Sequence, residues 1–364
     1  MHATTRAGIT TRPPRQRATL ALILTVLIAL TLTVTSPNAT PPAHAAPPFA
    51  KGADISWIPG MEAQGHTWKD KWGTTRDVLD ILRTDYGIES ARIRVWVNPS
   101  TDYANGYLNT EQAARLAQRA KNKGMRVMLT LHYSDSWADP GQQTKPATWA
   151  RLTDQQLMDT IWTYTRSVLT TMRSYGVTPT WVQIGNETND GMLWPNGRAS
   201  ASTTAMRNYA YFVTTGHNAV KSIDPSITTI VHLANGDNAS LYTWNIGGII
   251  AHGAQFDAIG MSLYPTASTW SGAVDSATAN MRNLKSRYGK EVIVSEIGLP
   301  YNQPTATRSF ITKIIQSTSS AGGLGVFYWE PAATPGYNGG YDKGAWGTNG
   351  RPTSALEGFW ATVS

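Results

Sequence analysis

Short apolar runs along the chain alternate with longer stretches in which apolar residues recur every three or four positions. The first pattern suits strands of a buried parallel sheet, and the second suits helices that cover it with one face. About eight strand signals can be traced, at 52–56, 91–97, 126–132, 181–185, 229–233, 258–263, 291–295 and 324–328. Eight βα units are what a (β/α)8 TIM barrel requires, so the expected class is α/β with one barrel domain. Helix ends are legible between the strands. Asn109 with Gln112 and Thr153 with Gln156 have capping-box spacing. Ala113, Leu116, Ala117 and Ala120 keep a helical stripe that Gly124 ends, and Leu157, Ile161, Val168 and Met172 keep another. Phe310, Ile311, Ile314 and Ile315 form a third, stopped by Gly322 and Gly323 before the last strand. No internal repeat is evident, and the longest Gly- and Trp-rich loops follow strands, where a barrel builds its active face.

The amino-terminal pattern differs. Arg6, Arg12, Arg15 and Arg17 precede an apolar run from Ala18 to Val34, and Ala43-His44-Ala45 offers a small-residue cleavage point. Residues 1–45 are therefore expected to be a signal peptide, 46–50 a short linker and 51–364 the catalytic domain. The apolar run is short for a membrane span of about 20 residues and is soon followed by Pro37, Pro41 and Pro42. An exported, extracellular protein with no membrane attachment after cleavage is expected.

The leader holds four of the 31 basic residues and no acid, so 27 bases face 24 acids beyond it and the net charge falls from +7 to +3. No Lys/Arg cluster marks a phosphate-tracking face, which argues against nucleic acid. The absence of Cys excludes disulfides and thiol catalysis. An excess of 14 Trp and 15 Tyr over 6 Phe supplies flat apolar faces with polar tips, which suits sugar rings.

Unusual polar residues fall at the carboxyl ends of the expected strands. Alternation puts Arg92, Arg94 and Trp96 on one face of the second strand. The third ends at His132, with Tyr133, Asp135 and Trp137 beyond; the fourth runs into Asn186-Glu187, and the seventh into Glu296. Glycosidic cleavage needs two carboxyl groups, one protonated and one ionised. A single loop Glu is more often a solvated carboxylate or an ion-pair partner. Two of them, each ending an apolar strand of one barrel, favour catalysis. His132 has no companions in a metal-ligand spacing.

Several segments then carry a specific resemblance: Lys51-Gly52-Ala53-Asp54-Ile55-Ser56, Arg92-Ile93-Arg94-Val95-Trp96-Val97-Asn98-Pro99, HYSDSWADPGQQTKPATW from His132, and VQIGNETNDGMLWPNG from Val182. With Ser262-Leu263-Tyr264-Pro265, Ser295-Glu296-Ile297-Gly298 and Tyr328-Trp329-Glu330-Pro331, they resemble family 53 glycoside hydrolases across essentially the whole mature chain. These are the arabinogalactan endo-β-1,4-galactanases of a large retaining barrel clan. The resemblance implies Glu187 as acid/base, Glu296 as nucleophile, Asn186 at the sugar 2-hydroxyl, and Arg94, His132, Tyr264 and Trp329 lining the cleavage subsite. Asp54, Trp57, Trp96 and Trp137 would be their neighbours. Retention calls for carboxyl groups about 5 to 5.5 Å apart, with Arg94 and Tyr264 keeping Glu296 ionised.

The expected protein is thus a monomeric enzyme acting on the β-1,4-galactan of pectic side chains, without cofactor. Rivals are a retaining endo-glycanase of the same clan acting on a glucan, mannan or xylan, and a barrel that binds glycan without cleaving it. Between Glu296 and Leu324 there is room only for a short loop and one helix. The extended loop that holds calcium in some bacterial members of the family is therefore expected to be absent. A chelator should leave activity and melting temperature unchanged; a fall of several degrees, reversed by calcium, would reveal a site near Asp342.

Overall fold

All eight strand signals form strands of one closed parallel sheet. The computed structural model describes residues 48–100 and 106–363. Its barrel strands are β1 (Ala50–Asp54), β2 (Ser90–Val95), β3 (Arg126–Leu131), β4 (Trp181–Ile184), β5 (Thr228–Leu233), β6 (Ala258–Leu263), β7 (Glu291–Ile297) and β8 (Gly325–Tyr328). They follow one another around the barrel, and β8 closes it by pairing Ala50 with Gly325. The expected signal peptide, 1–45, lies outside the described residues, while β1 begins at Ala50, inside the stretch expected as linker.

A helical segment returns the chain after each strand. Both capping boxes form: Asn109 and Gln112 exchange bonds at the start of Thr110–Asn122, and Thr153 and Gln156 do so before Asp154–Ser174. The first return is a short α-helix, Val78–Asp80, running into a π turn, Ile81–Asp85, and the last is a 3-10 helix, Ser354–Trp360. Among the described residues no helix is long and apolar enough to cross a membrane.

The barrel interior is layered. At its base Ala50, Met128, Trp181, Ile230, Ala258, Ile293 and Phe327 pack together, one from each of seven strands. The next inward positions are polar and buried: Arg92, Thr130, Gln183, His232 and Ser295. Outward-facing neighbours such as Ile93, Leu129, Val182, Val231 and Val294 join the larger core beneath the helices. Period-two alternation thus separates an apolar shell from a barrel lumen that becomes polar toward its carboxyl rim.

Two irregularities aim the rim residues. With Ile293 inside and Val294 outside, regular alternation would turn Ser295 inward and Glu296 outward. Register against β6 slips between Met261 and Ser262, so that Ser262 faces Glu296 and Ser295 is the extra residue; β8 shows the same slip between Val294 and Ile297. This bulge brings Glu296 back to the lumen. After β4, Gly185 takes φ +83° and Glu187 φ +45°, a kink that lets consecutive residues Asn186 and Glu187 both reach the rim. A Cβ on Gly185 would also lie 2.7 Å from Thr188 Cγ2.

The base layer leaves little space at Gly52, where a Cβ would meet the Phe327 ring at 2.2 Å. Gly52→Ala should therefore destabilise by about 1–3 kcal/mol through overpacking, read as a lower urea midpoint with an unchanged m-value.

Candidate active site

A cleft of about 360 Å³ opens at the carboxyl rim, lined by Arg94, Trp137, Ala138, Asp139, Asn186, Glu187, Tyr264, Glu296, Trp329, Tyr341 and Lys343. Seven of the eleven residues singled out from the sequence are among them. Asp54, Trp57, Trp96 and His132 are not; each is at most 2% exposed and lies beneath or behind the wall. They hold the wall in place. Asp54 bonds Ser56 and Arg92, the Trp57 amide donates to Glu330 Oε1, and the His132 ring stacks on Trp96 at 4.5 Å while its Nδ1 accepts from the Ala138 amide.

Arg92 organises the floor. Its Nε donates to Gln183 Oε1 at 2.6 Å, one terminal nitrogen to Asp54 Oδ2 at 2.8 Å, and the other to both Asn186 Oδ1 and Glu296 Oε1 at 2.8 Å. The cation against Glu296 is therefore Arg92, and the expectation that Arg94 plays this part is corrected. Arg94 stands one inward position higher, where Glu330 Oε1 at 2.6 Å and Asp54 at 3.4 Å hold its guanidinium. Four tryptophan rings, Trp57, Trp96, Trp137 and Trp329, surround it with centroids 4.9–5.8 Å away. Arg94 reaches Glu296 only as a weaker, more distant charge.

The charges can be balanced. Burial alone would push the Asp54 carboxyl up, but Arg94 and Arg92 hold it below the ordinary carboxylate range. Burial drives Glu330 well above that range; Arg94 opposes the rise and the neighbouring Asp54 adds to it. Burial also raises Glu296, opposed first by Arg92 and then by the Tyr264 hydroxyl, which donates to Glu296 Oε2 at 2.7 Å. Two guanidinium groups, Arg92 and Arg94, thus face the carboxyl groups of Asp54, Glu296 and Glu330. Glu187 has no ion pair among the described residues; burial, and next the charge of Glu296, push it up to about 8. Of the two rim carboxyl groups, Glu187 keeps the proton.

The remaining wall is aromatic. Trp329 packs edge-on against Trp57 and Tyr341, and the Tyr341 hydroxyl donates to the Trp329 carbonyl at 2.8 Å, fixing a rigid apolar face beside the carboxyl groups. Tyr341, Lys343 and Asp139 escaped the sequence reading because they lie in loops without periodicity. Glu330, His232 and Ser262 did leave a signal: polar types at inward positions of strands or just past them. Among the described residues no three His, Asp or Glu gather as a metal site would require.

The pattern of glycosyl hydrolase family 53 matches residues 50–358. An arabinogalactan endo-β-1,4-galactanase of Thermothelomyces thermophilus is 31% identical over 309 residues, spanning 78% of this chain and 89% of that protein. An endo-β-1,4-galactanase of Bacillus subtilis is 30% identical over 317 residues, spanning 79% and 71%. A solved structure from work on two fungal β-1,4-galactanases superposes with a TM-score of 0.78 at 29% identity, covering 87% of this chain and all of that one.

The raised Glu187 has a thermodynamic consequence that can be measured without substrate. Its folded value, about 8, exceeds its ordinary 4.5, so its contribution to stability is complete below 4.5 and is lost as pH rises through 8. Glu187→Gln cannot ionise. Its stability relative to the parent should rise by at most about 1.4 kcal/mol per pH unit across that window and level off above it, as followed by urea unfolding at several pH values.

Proposed function

Because the chain belongs to glycosyl hydrolase family 53, we propose that it is a retaining endo-β-1,4-galactanase that is secreted, acts as a monomer, and cleaves the galactan side chains of pectin. The observation that carries the mechanism is the unequal treatment of two carboxyl groups in one cleft. Glu296 is held by a guanidinium and a phenol, whereas Glu187 has no ion pair among the described residues and is pushed up to about 8, so that it stays protonated at neutral pH. Glu296 is then the nucleophile: it attacks the anomeric carbon while Glu187 gives its proton to the departing glycosidic oxygen. In the second step Glu187, now a carboxylate, takes a proton from water as that water displaces Glu296. Both steps pass through an oxocarbenium-like state, whose positive charge the Glu296 carboxylate opposes.

Binding follows from the wall. Trp329, Trp137 and Tyr341 offer apolar faces to sugar C–H surfaces, and Tyr264, half-exposed, links the cleft to Glu296. Asn186 spends one amide N–H on the Ala138 carbonyl at 2.8 Å and keeps another for the sugar 2-hydroxyl. The galactan preference is supported by the names of the similar proteins and by the family-like loop segments, since the carboxyl pair serves every member of the clan.

Glu296→Ala should abolish turnover on every substrate. Glu187→Ala should lose several orders of magnitude on polysaccharide, yet keep the first step with a 2,4-dinitrophenyl leaving group, which departs unprotonated. Proton NMR of a reaction time course should show the β-anomer forming first, and appearance of the α-anomer first would sink both assignments. In a polysaccharide panel, linear β-1,4-galactan should be degraded and xylan, mannan and glucan left intact.

A further inference from the structure

Outside the cleft, two tryptophans stay in view of solvent. Trp72, 69% exposed, sits in the turn of the hairpin that pairs Trp68–Lys69 with Thr75–Arg76, and Trp360, 49% exposed, ends the 3-10 helix Ser354–Trp360. Neither lines the catalytic cleft. A single exposed ring needs no explanation, but these two share one cation: Lys71 Nζ lies 4.5 Å from the Trp72 ring centre and 5.6 Å from that of Trp360. The surrounding backbone holds this arrangement in place. Asp70 Oδ1 accepts from the amides of Trp72 and Thr74 at 3.0 and 2.9 Å, and Gly73 takes φ +97° to close the turn. The hairpin is tied to the barrel through Trp68 Nε1, which donates to the Ala332 carbonyl at 2.8 Å, and through the Lys69 amide, which donates to the Gly350 carbonyl at 3.0 Å. Trp360 is fixed by a stack on Tyr86 at 6.0 Å and by its Nε1 bond to the Asp85 carbonyl at 2.9 Å.

The charge around the rings is one-sided. The nearby acids are already committed, Asp70 and Asp85 to Arg76 and Glu357 to Arg308, whereas Lys71 and Arg351 have no ion pair among the described residues. The Arg351 guanidinium packs against Gly73, where a Cβ would meet Nη2 at 2.5 Å, so a second cation stands beside the turn. We propose that this face is a glycan-binding surface separate from the cleft, and that it takes an acidic polysaccharide. The indoles meet sugar C–H faces, and Lys71 and Arg351 meet the carboxylates of uronate residues. A neutral galactan would use the rings and leave both cations unmatched. An anionic membrane would match the charge, but two rings, one on a tight turn and one at a helix end, offer less apolar area than the helix face that enters a bilayer surface. The choice of a uronate polymer rests on the pectic substrate proposed above, because pectic galactan is carried on a uronate-rich backbone. Holding that backbone keeps the cleft near the side chains it cuts.

Native affinity electrophoresis with polygalacturonate in the gel tests this directly. The parent enzyme should be retarded, and less so as ionic strength rises. Trp72→Ala and Lys71→Gln should each weaken binding about three- to tenfold. Both side chains are exposed, so the variants should keep the parental melting temperature and the parental kcat/KM on soluble β-1,4-galacto-oligosaccharides. On galactan still attached to its uronate backbone, Trp72→Ala should raise KM and leave kcat unchanged. No retardation by polygalacturonate, or retardation that both variants leave intact, overturns the proposal. So does stronger capture by vesicles of anionic phospholipid than by polygalacturonate, or binding of the Glu296→Ala variant to linear galactan that depends on Trp72 and matches its binding to polygalacturonate. The two readings fail separately. Trp72-dependent binding of polygalacturonate by an enzyme that leaves galactan intact overturns the galactanase reading and keeps this surface, whereas galactan cleavage without that binding does the reverse.

Discussion

A guanidinium with no access to water, that of Arg92, is the constraint around which the site is arranged. Taking such a charge out of solvent costs several kcal/mol unless partners surround it, and here acceptors converge from β1, from β4 and its exit, and from β7. The same contacts that compensate the charge draw Asp54, Gln183, Asn186 and Glu296 to one point across the lumen. Barrel closure and site assembly are therefore one problem, because an opening between β8 and β1 would leave the cation short of an acceptor. The apolar base layer beneath supplies burial that the polar layer cannot.

Around that charge the site separates two groups of the same chemistry. Glu187 and Glu296 are both desolvated glutamates at strand exits, and their difference lies in what faces them. Arg92 and Tyr264 compensate Glu296, while Glu187 has no ion pair among the described residues and is raised by burial and by the charge of Glu296. Under the proposed mechanism, this difference in environment turns one residue type into acid and nucleophile. Arg94 completes the balance at a distance. Held by Asp54 and Glu330 and enclosed by four indoles, it keeps the cleft wall rigid and positively polarised without competing for Glu296.

Precise placement depends on departures from regular structure. The β7 bulge at Ser295 and left-handed residues at the exits of β3, β4, β5 and β8, namely Tyr133, Glu187, Asn235 and Glu330, all lie on the carboxyl rim. Such conformations cost of order 1–3 kcal/mol each and persist because packing and hydrogen bonds around them are dense. The lower barrel keeps its alternation, and the strain is confined to the end where chemistry is expected.

The sequence alone determined the eight strands, both capping boxes, the closed α/β architecture and the family, since these depend on local periodicity and on short segments whose spacing survives in one dimension. It also marked Glu187, Glu296, Asn186, Tyr264, Trp137 and Trp329, because polar and aromatic residues at strand exits break an otherwise apolar pattern. It misassigned the partner of Glu296. Arg92 and Arg94 are two residues apart on one face, and the choice between them depends on which layer of the lumen each guanidinium enters and on where Glu330, 236 residues from Arg94, awaits it. Tertiary structure alone also sank Asp54, Trp57, Trp96 and His132 behind the wall, brought Tyr341 and Lys343 to the cleft, and turned Glu296 inward through a bulge that no local pattern announces. Period and propensity act between near neighbours in the chain, whereas charge balance and hydrogen-bond direction are settled between residues that only closure of the barrel brings together.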